Sequence, residues 1–134
     1  MKTLLVLEDE PTLRKLLRRM LKQYQVLEAA TVEEALDLFS NHHRQVDLLV
    51  ADVTLPTSSG IVVALLLRFE APDMPVILTS GYPVSNWSPR DSGDLERLGS
   101  KSVAILQKPF LAQDLLTTVG RLMGEPQSAI AGTA

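Results

Sequence analysis

The sequence predicts an α/β domain built on a doubly wound, five-stranded parallel sheet. Two observations predict it. Short strand-like runs recur at residues 4–7, 26–29, 46–50, 76–78 and 103–106. Between them, apolar residues fall at helical spacing. Alternation of this kind implies parallel strands covered by helices on both faces. At 134 residues, 46% hydrophobic and 22% charged, the chain has the size and composition of one ordinary globular domain.

Each element has its own signal. Leu4-Leu5-Val6-Leu7 is apolar without alternation, as in a strand buried on both faces. A sharp polar switch follows, Glu8-Asp9-Glu10, and Pro11 then suits the first turn of a helix. Leu13, Leu16, Leu17, Met20 and Leu21 form that helix's apolar stripe. Arg14, Lys15, Arg18, Arg19 and Lys22 form a basic opposite face, read as solvated, with kinase docking as the alternative. Glu10 reads as a solvated first-turn acid favoured by the helix dipole. Residues 26–29 make the second strand. Thr31 and Glu34 have the spacing of a capping box, opening a helix with Val32, Ala35, Leu36 and Phe39 inward. His42 and His43 read as surface loop residues.

Residues 46–50 form the third strand, with Asp52 just beyond it. Residues 55–60 are a loop by composition. Residues 61–69 form a third helix that is apolar all round. Such a helix is normally covered on every side, so a homodimer or partner contact is expected there, with simple extra burial as the alternative. The fourth strand precedes Thr79-Ser80-Gly81, and the fifth precedes Gln107-Lys108-Pro109. Trp87 reads as a loop aromatic tucked against the domain. The last helix carries Leu111, Leu115, Leu116, Val119, Leu122 and Met123. Residues 1–123 are thus one domain, and residues 124–134, rich in Ala, Ser, Gly and Pro, are expected to be a disordered tail.

Several functions are excluded early. The net charge of −3 gives no reason to expect nucleic acid or an anionic membrane as partner. The absence of cysteine rules out disulfides, thiolate metal sites and cysteine nucleophiles. The apolar run before Glu8 is too short for a secretory signal, and no run approaches the ~20 residues of a membrane span. A cytoplasmic protein is expected.

In open α/β sheets, sites form outside the carboxyl ends of the strands. Here those ends bring together Glu8 and Asp9, Asp52, Thr79 and Ser80, and Lys108. Three hard carboxylates without a neighbouring thiol or histidine suit Mg2+ or Mn2+. One lysine cannot neutralise three acids, so a divalent ion is the natural complement.

These pieces together resemble the receiver domain of two-component response regulators. The resemblance rests on LEDEP at 7–11, DVTLPTSSG at 52–60, PVILTSGYP at 75–83 and QKPF at 107–110, in that order and over nearly the whole chain before the tail. It implies a flavodoxin-like fold with strand order 2-1-3-4-5. It implies Asp52 as phosphoacceptor and a metal site of Glu8, Asp9, Asp52 and the backbone carbonyl of Thr54. Lys108 would pair with Asp52 and then with a phosphoryl oxygen. Ser80, five residues after Pro75, matches the hydroxyl that bonds the phosphoryl group. The implied function is a phosphorylation-dependent switch fed by the phosphohistidine of a sensor histidine kinase or phosphotransfer domain. It would pass its signal to a downstream protein and turn over no external substrate. The alternatives are a pseudo-receiver scaffold and an aspartate-nucleophile phosphohydrolase. The second is disfavoured because Thr54 stands where haloacid-dehalogenase-like enzymes carry a general acid.

The chain departs from the family pattern in three places. The first acid is Glu8 rather than Asp. The stretch from Ser80 to Lys108 is long. Pro83, Pro89 and Gly93 argue against a long regular helix there, leaving at best a short one over residues 94–98, with Ser92 or Asp94 near its start. Ile105 stands where the family has a switch aromatic. The face built from the fourth helix, fifth strand and fifth helix is therefore expected to be remodelled. The residues at the two chain ends leave two contexts, a stand-alone regulator, favoured by Met1-Lys2-Thr3, or the receiver of a hybrid histidine kinase.

Overall fold

The computed structural model describes residues 1–42 and 45–125. Five parallel strands, β1 (Thr3–Leu7), β2 (Gln25–Ala29), β3 (Leu48–Asp52), β4 (Val76–Ser80) and β5 (Val103–Gln107), form one sheet in the order β2-β1-β3-β4-β5. The helices are α1 (Pro11–Met20), α2 (Val32–Asn41), α3 (Gly60–Glu70), α4 (Pro89–Leu98) and α5 (Ala112–Leu122). This is the doubly wound order in which the sheet changes winding direction beside β1 and β3.

The strand sequences explain their places. β1, β3 and β4 are buried at every position. They are the runs without alternation, as central strands covered on both faces require. Alternate residues feed two separate cores. Leu5, Leu7, Leu49, Ala51 and Leu78 pack with α2 and α3 on one face. Leu4, Val6, Leu48, Val50 and Ile77 pack with Leu17 of α1 and Leu115 and Val119 of α5 on the other. β2 and β5 are the edges, and their residues are mostly only part-buried.

The structure corrects several readings. α4 is not confined to residues 94–98. It runs ten residues from Pro89, as long as α1 and α2. Pro89 stands in the first turn, where its missing N–H costs nothing, and Ser88 caps the helix by accepting from the Asp91 N–H at 3.1 Å. Gly93 sits inside the helix and is tolerated there. The irregularity lies before α4, where Val84–Asn86 form a single 3-10 turn. Glu10 is not a first-turn acid but the N-cap of α1. Its carboxylate accepts the N–H groups of Leu13 (2.7 Å) and Thr12 (3.2 Å), and these bonds hold its pKa below the ordinary range. Thr31 caps α2 as expected, but Glu34 reaches back to the N–H of Ala30 rather than of Thr31.

Leu16 in the α1 stripe is 44% exposed, so the stripe is narrower than its sequence suggested. His42 is the C-cap of α2, its ring Nδ1 2.9 Å from the Leu38 carbonyl, while His43 lies outside the described residues. Trp87 is tucked in as expected, 9% exposed against the α2/α3 core. Of the segment read as a tail, Gly124 and Glu125 are described, and Glu125 accepts the Tyr24 phenol at 2.7 Å. That bond and burial push the Tyr24 phenol up to about 12, burial being the larger cause. Residues 126–134 lie outside the described residues.

Candidate functional site

The site lies at the carboxyl rim of β1, β3 and β5. Glu8 and Asp9 follow β1, Asp52 is the last residue of β3, and Lys108 follows β5. One carboxylate oxygen from each of Glu8, Asp9 and Asp52 falls within 4.8 Å of the others. The Lys108 ammonium donates to both Glu8 Oε1 and Asp52 Oδ2, at 3.0 Å each. These two contacts span 100 and 56 residues of sequence.

The backbone aims these groups. Asp52 Oδ1 accepts the Thr54 N–H at 3.0 Å, so both its oxygens are engaged. Glu8 Oε2 accepts the Glu10 N–H at 3.1 Å, turning the start of α1 into a support for the acid. Gly60, the first residue of α3, lies against the end of β3. A Cβ there would stand 2.4 Å from the Asp52 carbonyl oxygen and 2.7 Å from Ala51 Cβ. Glycine is therefore the residue that lets α3 start so close to the nucleophile candidate.

Burial sets the electrostatics. Glu8 is 1% exposed and Asp52 5%. Burial pushes the Glu8 carboxyl up, and the Asp52 charge adds to that. The Lys108 and Glu10 hydrogen bonds offset part of it. For Lys108 burial acts downward, but its bonds to Asp52 and Glu8 outweigh it and its pKa is raised. Three hard oxygen donors, with no sulfur or imidazole in the group, fit a divalent cation such as Mg2+ or Mn2+.

Ser80 occupies the last position of β4, 1% exposed, and the Lys108 N–H donates to its carbonyl at 2.7 Å. Its hydroxyl is turned to the next loop. It donates to the Tyr82 carbonyl and accepts the Tyr82 N–H, both at 3.0 Å. Thr79 pairs with Asp52 in the strand register. Thr54 is placed next to Asp52, with its N–H on the carboxylate. The structure thus brings Glu8, Asp9, Asp52 and Lys108 into one group and leaves the Ser80 hydroxyl bonded to the loop beside it.

Sequence reasoning missed one contributor. Arg14, counted among the solvated basic residues, donates from Nη1 to the Glu8 carbonyl at 2.8 Å and pairs with Glu28 at 3.7 Å. It braces the acidic turn from the side of α1. Its acceptor is a main-chain oxygen, which no side-chain pattern announces. Arg18 also pairs with Glu28, at 3.1 Å, so the basic face is partly neutralised by β2.

Fold and rim together define a doubly wound α/β domain with an acid–lysine site at the sheet's switch point. The chain belongs to the response regulator receiver domain family, whose model matches residues 4–120. It is 32% identical over 123 residues to the sensor kinase CckA of Brucella abortus (strain 2308), a match covering 90% of this chain and 12% of that protein. A CheY-like response regulator receiver domain from Methanospirillum hungatei JF-1 superposes with a TM-score of 0.79 at 25% identity, over 92% of this chain and 94% of that one. Response regulator TrrA of Thermotoga maritima, solved in complex with Mg2+-BeF, superposes with a TM-score of 0.72 at 31% identity, over 91% and 99%. The chain spans about half or less of the length of the curated relatives it matches. Among the described residues, no helix is long and apolar enough to cross a membrane.

Proposed function

We propose that this domain is a phosphorylation-dependent switch. Asp52 accepts a phosphoryl group from the phosphohistidine of a sensor histidine kinase or phosphotransfer domain, and the modified domain binds a downstream protein differently. The observation that carries this reading is the Lys108 ammonium shared at 3.0 Å between Asp52 and Glu8, within the three-acid group.

In the reaction, an Asp52 carboxylate oxygen attacks phosphorus and the P–N bond to the donor imidazole breaks. The electron pair of that bond returns to the ring nitrogen. Such transfers depend on positioning and charge neutralisation more than on acid–base chemistry. Glu8, Asp9, Asp52 and the Thr54 carbonyl would hold a hard divalent ion, which when bound would supply part of that neutralisation. Lys108 supplies the rest, moving from the Asp52 carboxylate to a phosphoryl oxygen. The Ser80 hydroxyl donates to another phosphoryl oxygen once it leaves Tyr82. The product carries roughly two negative charges where one stood, and this drives the rearrangement. No external substrate is turned over.

The partners in this reading are the upstream phosphodonor and a downstream protein, in a cytoplasmic setting, without direct contact to nucleic acid or membrane. A second copy is a further candidate partner, through the outward stripe of α3 that ends in Phe69, 84% exposed.

The test is beryllofluoride binding followed by fluorine NMR, with and without Mg2+. The expected result is an adduct that needs Mg2+ and is lost in Asp52→Asn. If wild-type protein with Mg2+ forms none, the domain is a non-switching scaffold instead.

A further inference from the structure

The Tyr82 carbonyl is a junction of two donors. It accepts the Ser80 hydroxyl at 3.0 Å and the Trp87 indole Nε1–H at 3.2 Å. The loop between them, residues 81–86, is exposed at every position. Trp87 at its far end is 9% exposed and belongs to the core that α2 and α3 cover. Ser88, immediately after it, caps α4. This exposed stretch is thus pinned at one end by the Ser80 hydroxyl and at the other by a buried indole, and both pins meet on one oxygen. Strand β5 carries Ile105 opposite Leu78, so no aromatic side chain at that position follows the hydroxyl.

We propose that Trp87 is a positioning residue for the phosphoryl-transfer site, acting on Ser80 through the Tyr82 carbonyl. This rests on the reading of Asp52 as phosphoacceptor. A serine hydroxyl carries one proton, so it donates either to Tyr82 or to a phosphoryl oxygen, never to both. In the resting domain the indole fixes the Tyr82 carbonyl where it takes that proton. When an anion at Asp52 takes it instead, the carbonyl loses one of its two donors. The loop then shifts relative to the indole, and the change reaches the cap of α4 at the next residue. Trp87 with the Tyr82 carbonyl does here what the absent strand-five aromatic would otherwise do.

The chain contains a single tryptophan, so emission excited selectively at the indole, away from the absorption of Tyr24 and Tyr82, reports on this junction. With Mg2+ and beryllofluoride, wild-type emission is expected to change in step with the fluorine NMR signal of the adduct. In Ser80→Ala at saturating beryllofluoride the adduct is expected with little or no emission change. Trp87→Phe keeps a ring in the core but removes the N–H. It is expected to bind beryllofluoride roughly two- to tenfold more tightly, because the resting position of the hydroxyl has lost its anchor. Three results overturn the proposal: an adduct in wild type with unchanged emission, an emission change in Ser80→Ala as large as in wild type, or equal affinity in Trp87→Phe. A merely structural Trp87 would lower the unfolding temperature of Trp87→Phe without raising its affinity. Absence of any adduct in wild type would instead remove the premise at Asp52, and the proposal with it.

Discussion

The two halves of the rim are in different states. On the β1–β3–β5 side, Lys108 already bridges Glu8 and Asp52, and each acid takes a further backbone N–H. On the β4 side, the Ser80 hydroxyl is equally well bonded, but to Tyr82. One half is assembled in advance and the other is held away. The difference separates groups that must stay paired from a group that can change partners. Charges crowded in a buried site must be neutralised at all times, because unpaired burial is expensive. A neutral hydroxyl can change partners at the small net cost of one hydrogen bond.

The sharpest way to break this contrast is to remove the amine. Lys108→Ala leaves two nearly buried carboxylates facing each other. We expect it to lose about 2–3 kcal/mol of stability without Mg2+, less than the ~3–5 of a fully buried pair because Lys108 is 22% exposed. Mg2+ should return most of that loss in denaturant unfolding, and the beryllofluoride adduct should still form while signalling output fails. A Lys108→Ala protein as stable as wild type without Mg2+ would show that the pair is not what holds this half together. Next in size is Gly60→Ala. Its methyl group would press on the Asp52 carbonyl, and overpacking of this kind costs about 1–3 kcal/mol. A lowered unfolding temperature together with weaker adduct formation is expected. Ser80→Ala should be the mildest, about 1 kcal/mol or less, since it removes one local hydroxyl and leaves the acids and lysine in place.

The pH dependence sharpens the same contrast. Glu8 and Lys108 both bind their protons more tightly in the folded than in the unfolded chain. For Glu8 the favourable contribution is complete below its ordinary value of 4.5 and is lost as pH rises through the raised value. For Lys108 it is complete below 10.5 and is lost only above its raised value. Stability in the absence of metal should therefore fall as pH rises from about 4.5 toward neutrality, by an amount that Lys108→Ala increases and Mg2+ diminishes. Thermal unfolding across that window, with and without Mg2+, measures it. A flat profile would mean that Glu8 is better solvated than its burial implies.

Much of this architecture was legible in the sequence, for a physical reason in each case. The unalternating runs of β1, β3 and β4 announce burial on both faces, and the structure buries every one of their residues. The acids and the lysine stand at strand ends, and parallel strands put all such ends on one edge. The misreading of α4 is equally instructive. Pro89 taken alone reads as a breaker, whereas Ser88-Pro89 is a start signal, a cap followed by a residue suited to the first turn. Arg14 was unreadable because it acts on a carbonyl.

By itself, then, the sequence determined which groups gather at the rim. That follows from periodicity and from the chirality of strand connections, which leave little freedom once five short strands alternate with helices. Only the tertiary structure decided how those groups divide their hydrogen bonds. Whether Lys108 reaches Glu8 as well as Asp52, and whether the Ser80 hydroxyl faces the acids or the loop, turns on ångström-scale distances between residues far apart in the chain. Hydrogen bonds discriminate at that scale and residue spacing does not.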